Sequence, residues 1–480
     1  MSIRTPPTLE ELARNVLLRN ETLAISALED LPMMLFPALF KEAFSGRHTK
    51  IVKAMVAAWP FPCLPLGTLM NNTFNLEVFQ AVLDGLDVLL IQQVCSKRGK
   101  LQVLDFRQVH HEFWSIQAGT RDGDCSAETV SEKQVVQVLP RDELRGKLKV
   151  VADLYFRFQL DEEEMYLLHW AQQRKDFLQL CCVNMKIVLL SLDNVRMVLT
   201  VFEPEHMEVL ELTVDWNWCT LARFSPCLTQ MRNLHTLSLV WIHKNGFGVV
   251  YIPGLEKFIQ KFIAQFSRLG SLQHLYLNGF CFLSDHMKLL LRNLKTTLET
   301  FSVTHSHFLQ SHLHHFSQCQ QLHQLKHLDM SGVPMSHLFM MPLRVLLENV
   351  SDTLETLELQ GCEIKDSQLN VLLPALSQCS QLTKVNFYTN DFSMNVLSDL
   401  LLHTANLSKM TMEQYPAPLE CYDDLGYVSI ERFVQLCLLL MDTLRAIRQP
   451  KMISFATDVC SRCFKRCVYD QEIRLCPCLQ

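Results

Sequence analysis

Leu354-Glu355-Thr356-Leu357-Glu358-Leu359 is followed 28 residues later by Leu382-Thr383-Lys384-Val385-Asn386-Phe387. In both stretches the first, fourth and sixth positions are apolar and the residues between them are polar. Toward the N-terminus the phrase returns at Leu325-x-x-Leu328-x-Met330, Leu298-x-x-Phe301-x-Val303 and Leu272-x-x-Leu275-x-Leu277, then at Leu234-x-x-Leu237-x-Leu239 and Met207-x-x-Leu210-x-Leu212. Toward the C-terminus a worn copy reads Leu407-x-x-Met410-x-Met412. From first position to first position the steps are 27, 38, 26, 27, 29, 28 and 25 residues. Only the step from Leu234 to Leu272 is out of range, so an insertion is expected there. A period in the twenties carrying this phrase marks a leucine-rich-repeat solenoid.

Within each repeat the periodicity switches from strand to helix. After the Leu354 phrase come Leu369, Leu372, Leu373 and Leu376, and after the Leu325 phrase come Leu343, Leu346, Leu347 and Val350. Both sets have the i, i+3, i+4, i+7 spacing of one helix face. Strand plus helix per repeat predicts an α/β horseshoe, with strands lining its inner face and helices outside. The apolar positions of each phrase point into the core, so their polar neighbours line that inner face. Those neighbours are Glu211, Thr213, Tyr276, Asn278, Ser302, Thr304, Asp329, Ser331, Glu358, Gln360, Asn386 and Tyr388. Acids, amides, hydroxyls and aromatics in this mixture suit the binding of a target protein, and the set contains no poised acid–base pair.

Ahead of the repeats, residues 1–95 read as a helical N-terminal cap. Leu9, Leu12, Ala13, Val16 and Leu17 form an apolar stripe, and Thr8 with Glu11 three residues on makes a capping-box start. A second helix is expected near 21–29, ended by Leu31-Pro32. Three prolines between Trp59 and Gly67 exclude regular helix there, and helical periodicity resumes over 74–90. Early divergent repeats follow over 96–205. They include the strand phrase Leu101-Gln-Val-Leu104-Asp-Phe106, a polar insertion over 119–134 and a further strand at Leu178-Gln-Leu180-Cys181-Cys182. Regular repeats occupy 206–415, and 416–480 forms a C-terminal cap with a cysteine-rich tail.

A net charge of -6 and a pI near 6.3, with no basic stripe, exclude an electrostatic case for nucleic acid or an anionic membrane. The opening Met1-Ser2-Ile3-Arg4-Thr5-Pro6-Pro7 lacks a secretory apolar stretch, and the longest apolar run, 434–441, is far short of a membrane span. A cytoplasmic protein with access to the nucleus is expected, its 18 cysteines mostly reduced. The sequons at Asn20, Asn71, Asn349 and Asn406 are then chance occurrences. No phosphate loop, zinc-protease helix or nucleophile elbow occurs, so a binding protein rather than an enzyme is expected.

Several stretches resemble the PRAME family. They are Glu11-Leu-Ala-Arg14, Leu23-Ala-Ile-Ser-Ala-Leu28, Leu35-Phe-Pro-Ala-Leu-Phe40 and Ala58-Trp-Pro-Phe-Pro-Cys-Leu-Pro-Leu-Gly67. Others are Val82-Leu-Asp-Gly-Leu-Asp-Val-Leu-Leu90, Leu376-Ser-Gln-Cys-Ser-Gln-Leu382 and the terminal Cys476-Pro-Cys478. The resemblance implies a leucine-rich-repeat fold and a role as substrate receptor of cullin-2 ubiquitin ligases, with links to repression of transcription, differentiation and apoptosis. An elongin-binding box, Ser/Thr/Pro then Leu then a small residue then an apolar one, fits Thr8, Leu9, Ala13 and Leu17. It fits Thr22, Leu23, Ala27 and Leu31 equally well. A cullin-2 box fits Leu31, Pro32, Leu35 and Leu39. The partners implied are elongin B/C, cullin-2 and a protein substrate. The bland reading of the same helices is a cap on the open end of the solenoid. The alternative function is a co-repressor or plain interaction protein without any ligase.

Leu-x-x-Leu-Leu sequences begin at Leu86, Leu343, Leu369, Leu397 and Leu436, and in a leucine-rich solenoid such matches are mainly core packing. Some family members carry a receptor-type motif near the C-terminus. The corresponding stretch here, Leu444-Arg-Ala-Ile-Arg448, has arginine in the last leucine's place. In the tail, Cys460-x-x-Cys463 and Cys476-x-Cys478 are two close pairs whose thiolates could hold a structural zinc, leaving Cys467 spare. No other cofactor is expected. The histidines from His305 to His327 lack a fixed ligand spacing, and Asp161-Glu-Glu-Glu164 reads as a solvated helix start.

Overall fold

The computed structural model describes residues 8–70, 75–92, 100–107, 147–242, 255–280, 286–470 and 472–479. The polar insertion at 119–134 lies outside them, as do 243–254 within the long repeat step. The chain forms two compact units, Met1–Met185 with Asp193–His206, and Lys186–Leu192 with Met207–Gln480.

The first unit opens with helices Leu9–Arg19, Glu21–Ala27, Phe36–Ser45, Thr49–Ala57 and Leu76–Gln92. The capping box read from Thr8 is formed: the Glu11 N–H donates to Thr8 Oγ1 at 3.2 Å and the Thr8 N–H to Glu11 Oε2 at 2.8 Å. Phe36, Phe40, Ile51, Val52, Met55 and Trp59 are fully buried. The Phe40 ring lies 5.2 Å from that of Trp59, whose indole N–H donates to the Cys63 carbonyl at 2.9 Å. Gly85 lets the last of these helices approach the Thr49–Ala57 helix, because a Cβ there would meet Val56 Cβ at 2.7 Å.

Strands β1 (Cys63–Pro65), β2 (Val103–Asp105), β3 (Leu148–Arg157) and β4 (Leu178–Val188) follow in chain order. The proline-rich segment after Trp59 thus supplies a parallel strand, Cys63 pairing with Val103. Helix Glu162–Gln173 between β3 and β4 starts where the acidic run was expected to start a helix, and it does so with a capping box, the Glu164 N–H donating to Asp161 Oδ1 at 2.7 Å.

The second unit is the regular repeat array. Strands β5 (Val209–Val214), β6 (Thr236–Trp241), β7 (His274–Asn278), β8 (Thr300–Thr304), β9 (His327–Asp329), β10 (Thr356–Glu358), β11 (Lys384–Asn386), β12 (Met412–Pro416) and β13 (Met452–Ala456) pair in parallel, each with the next. The register stacks Leu210, Leu237, Leu275, Phe301, Leu328, Leu357 and Val385 in one ladder. Across the seven clear phrases, no signature side chain exceeds 1% exposure. Repeat helices such as Met341–Asn349, Asp366–Leu376 and Met394–His403 bury all their leucines but Leu402 against this ladder. These include the Leu-x-x-Leu-Leu sequences at Leu343, Leu369 and Leu397, which are therefore core.

Two residues after the sixth position of the phrase, the chain turns left-handed in five consecutive repeats, at Gly279, His305, Gly332, Gly361 and Thr389. Glycine takes this conformation without a Cβ penalty. At Gly332 it is required twice over, since a Cβ would also meet His305 Nδ1 at 2.4 Å.

The eighth copy is corrected by the structure. Val385 pairs with Glu413, so the phrase runs Met410-x-x-Glu413-x-Tyr415, a step of 28 residues from Leu382, and Met412 is only half-buried. Glu413 takes the core position because Arg448 neutralises it. The guanidinium donates from Nη1 to Oε1 at 2.8 Å and from Nη2 to Oε2 at 2.5 Å, and Tyr415 Oη donates to Oε2 at 2.8 Å. Burial, reinforced by the Glu413 charge, pushes the Tyr415 phenol well above its ordinary pKa. Arg448 thus caps helix Ile430–Ile447 with its side chain turned inward.

Candidate interaction surfaces

Helix Leu9–Arg19 contains no buried residue. Leu9 is 85% exposed, Leu12 48% and Val16 58%, and Ala13 between them is exposed too. Their i, i+3, i+4, i+7 spacing makes one apolar ridge, with the half-buried Leu17 at its far end. Leaving such a ridge in water forgoes about 1.5–3 kcal/mol for each large side chain that could be buried. The helix is tied to its own unit from the other side, where Arg14 Nε meets Glu42 Oε1 at 2.8 Å.

The second candidate box is arranged differently. Thr22 and Leu23 are exposed, but their helix ends at Ala27, so Leu31 stands beyond it and the four residues share no helical face. Of the cullin-box residues, Leu31 and Leu35 are half-buried and Pro32 is exposed. Leu39 is in the core, because helix Phe36–Ser45 turns Phe36, Leu39, Phe40, Ala43 and Phe44 inward. It supports the segment and cannot touch a partner directly. Met33 and Met34, which sequence reasoning passed over, are exposed beside Pro32.

In the second unit, the face of the sheet away from the repeat helices carries a row of side chains set by register. It runs Glu211, Ser238, Tyr276, Ser302, Asp329, Glu358, Asn386, Gln414 and Ser454. A shorter row holds Thr213, Val240, Asn278 and Thr304. A third, Thr236, His274, Thr300, His327, Thr356 and Lys384, was missed at the sequence level. The period-two alternation of each phrase carries its signal, since the third position shares a face with the fifth.

Bonds between neighbouring strands tie these rows together. His274 Nδ1 lies 2.8 Å from Thr300 Oγ1, and His327 Nδ1 lies 2.9 Å from Thr356 Oγ1. Ser302 Oγ donates to Asp329 Oδ2 at 3.0 Å, Lys384 Nζ meets Glu358 Oε1 at 2.6 Å, and Lys186 Nζ meets Glu211 Oε2 at 2.7 Å. Burial lowers the His274 pKa, favouring the neutral ring. Four of the expected contact residues, Ser302, Thr304, Asn386 and Tyr388, are buried. With strands about 4.8 Å apart, short side chains are overshadowed by longer neighbours. The long Tyr388 is covered differently: its Oη lies 2.6 Å from Ser454 Oγ, and the Arg466 guanidinium lies 5.4 Å from its ring. Asn386 Nδ2 donates to Gln360 Oε1 at 3.1 Å and Asp329 Oδ1 accepts from the Ser331 N–H at 2.9 Å, so both pairs brace the face. Tyr276 is the exposed aromatic in the row.

The tail brings Cys460, Cys463 and Cys478 together, their sulfurs all within 4.8 Å of one another. Cys476 does not join that triangle. It is buried, and its N–H donates to Cys467 Sγ at 3.3 Å. The expected set of four is therefore three converging thiols, with Cys476 outside the triangle and its N–H on Cys467. N–H groups of Cys463 and Arg462 donating to the Cys460 sulfur, with the Cys463 and Cys478 thiols, lower its pKa to about 6. Among the described residues this is the one group of histidine, cysteine and acidic side chains close enough to share an ion. The dense histidines do not form another: His312 is buried and accepts the Leu309 N–H at 2.9 Å.

Comparisons with known proteins agree along the whole chain. The profile of the PRAME N-terminal domain matches residues 6–114 and that of the PRAME C-terminal domain residues 148–478. PRAME family member 12 of Homo sapiens is 44% identical over 477 residues, covering 99% of this chain and 98% of its own. Oogenesin-3 of Mus musculus is 42% identical over 475 residues, covering 98% and 94%. Among solved structures, a leucine-rich-repeat protein of Legionella pneumophila aligns at 14% identity and a TM-score of 0.34, covering 61% of this chain and 91% of its own. The repeat fold rests on the strand registers rather than on that alignment. No helix of the described residues is long and apolar enough to cross a membrane.

Proposed function

Since this chain belongs to the PRAME family, we propose that it is the substrate-recognition adaptor of a cullin-2 RING ubiquitin ligase. Elongin B/C docks on the Leu9–Arg19 helix, cullin-2 on the adjoining segment around Pro32, and a target protein on the polar face of the repeats. Repression of transcription, differentiation and apoptosis would follow from removal of such targets. Catalysis belongs to the partner enzymes, and this chain contributes proximity.

The observation that carries the reading is the uncovered ridge of Leu9, Leu12, Ala13 and Val16 on a capped helix. Helix-in-groove recognition uses i, i+3, i+4, i+7 anchors of this kind, and a small residue at Ala13 permits close approach. A helix serving merely to close the array would bury its apolar side. The Thr22 box is less suited, because its residues do not share one helix. The co-repressor alternative gains nothing from the C-terminal stretch, where Leu444 is core and Arg448 is engaged by Glu413.

The test is capture of elongin B/C and cullin-2 by the intact chain and by two variants, Leu9→Asp with Ala13→Asp and Leu23→Asp with Ala27→Asp. Capture is expected from the intact chain and from the second variant, with loss in the first. Losing two anchors of a buried hot spot corresponds to at least about 2 kcal/mol, or roughly 30-fold in affinity. No capture by the intact chain sinks the ligase reading.

A further inference from the structure

The terminal cysteines point to a bound metal. After β13 the parallel ladder ends, and β14 (Val468–Tyr469) and β15 (Ile473–Arg474) return antiparallel. The turn between β13 and β14 carries Cys460 and Cys463, while the chain after β15 brings Cys476 and Cys478 back beside it. We infer that Cys460, Cys463 and Cys478, with Cys476 as fourth ligand, form a structural site for a thiophilic divalent cation, zinc in the cell.

Three features of the geometry carry this. Three sulfurs mutually within 4.8 Å cannot all be satisfied by one disulfide, but they match the face of a tetrahedron. Zn–S bonds of about 2.3 Å imply sulfurs about 3.8 Å apart, so a small contraction closes the triangle. The loop is also preshaped. The Cys460 N–H donates to the Lys465 carbonyl and the Phe464 N–H to the Cys460 carbonyl, both at 2.9 Å, and Phe464 is held left-handed at φ 56° directly after Cys463. Finally, Arg462 and Lys465 are cationic neighbours in sequence of Cys463, beside what would be a doubly negative tetrathiolate centre.

Cys476 is assigned the fourth position because it lies two residues from Cys478, on the chain that follows β15. Cys467 remains beside it as the acceptor of the Cys476 N–H. Binding needs no redox step, since each ligating thiol releases its proton to solvent. The consequence is a clamp: strands of two residues each have little core of their own, and a metal joins them to the end of the repeat array.

The experiment is metal analysis by mass spectrometry of the full-length protein, purified untagged under reducing conditions. About one zinc per chain is expected. Cys463→Ser should fall to background, while Cys219→Ser, an exposed thiol in a repeat helix, should keep its metal. If Cys463→Ser does not fold, Cys478→Ser at the exposed end of the tail is expected to weaken zinc at least tenfold in competition with a chromogenic chelator. After exchange to cobalt, Cys476→Ser should lose about a quarter of the thiolate charge-transfer band and Cys467→Ser none. Metal-free intact protein, or a Cys463→Ser variant that keeps its zinc, overturns the site. Loss of band intensity in Cys467→Ser instead overturns the choice of fourth ligand.

Discussion

Replacing Arg448 by leucine would put leucine at the last position of the receptor-type stretch, beside Ile447, and should destabilise the repeat array. Glu413 is 1% exposed and Arg448 14%, and two hydrogen bonds of 2.8 and 2.5 Å join them. Removing the arginine leaves the carboxylate buried in a ladder between Val385 and Ile453. Breaking a buried ion pair from one side amounts to about 3–5 kcal/mol. At about 3 kcal/mol per molar of urea, the unfolding midpoint should fall by more than about 1 M.

The control is the triple variant Glu413→Leu, Tyr415→Phe, Arg448→Leu. It removes the buried charge together with the phenol that donates to it. Apolar replacement of a buried pair is often neutral or stabilising, so this variant should return to within about 1 kcal/mol of the parent. Urea titration followed by circular dichroism reads the midpoint, and amide exchange of β11–β13 reads the local effect. An Arg448→Leu protein as stable as the parent would refute the reasoning. So would a triple variant as unstable as the single one.

Gly332→Ala should lower stability by about 1–3 kcal/mol, from the left-handed φ and the approach of His305 Nδ1, and thermal melting checks this. Leu357→Ala, at the centre of the buried ladder, should lose about 2–5 kcal/mol, measured by denaturant midpoint. Tyr276→Ala on the polar face should change stability by no more than about 0.5 kcal/mol. Proximity labelling should nevertheless lose the proteins captured by the parent, and an unchanged capture set would remove Tyr276 from the contact surface.

The repeats could be read directly because leucine spacing is local. Leu354, Leu357 and Leu359 report strand and register within six residues, and Leu369 to Leu376 report the helix that covers them. The same locality misled at the eighth copy. Met410 is core as its spacing suggests, but Met412 only looks so: the next buried position is taken by Glu413, made tolerable by an arginine 35 positions away. Among the site residues, Thr8 and Glu11 announced their capping box, but nothing local distinguished Leu9 as exposed from Leu39 as buried.

By itself, the sequence determined an α/β repeat array, its strand phases, and a helical segment ahead of it, because each follows from the period of apolar residues along a few turns of chain. Tertiary structure alone decided which apolar ridge stays uncovered, which face residues are overshadowed, and which three of five tail thiols converge. Those outcomes depend on side chains meeting from distant positions, and their contacts leave no periodic trace in the chain.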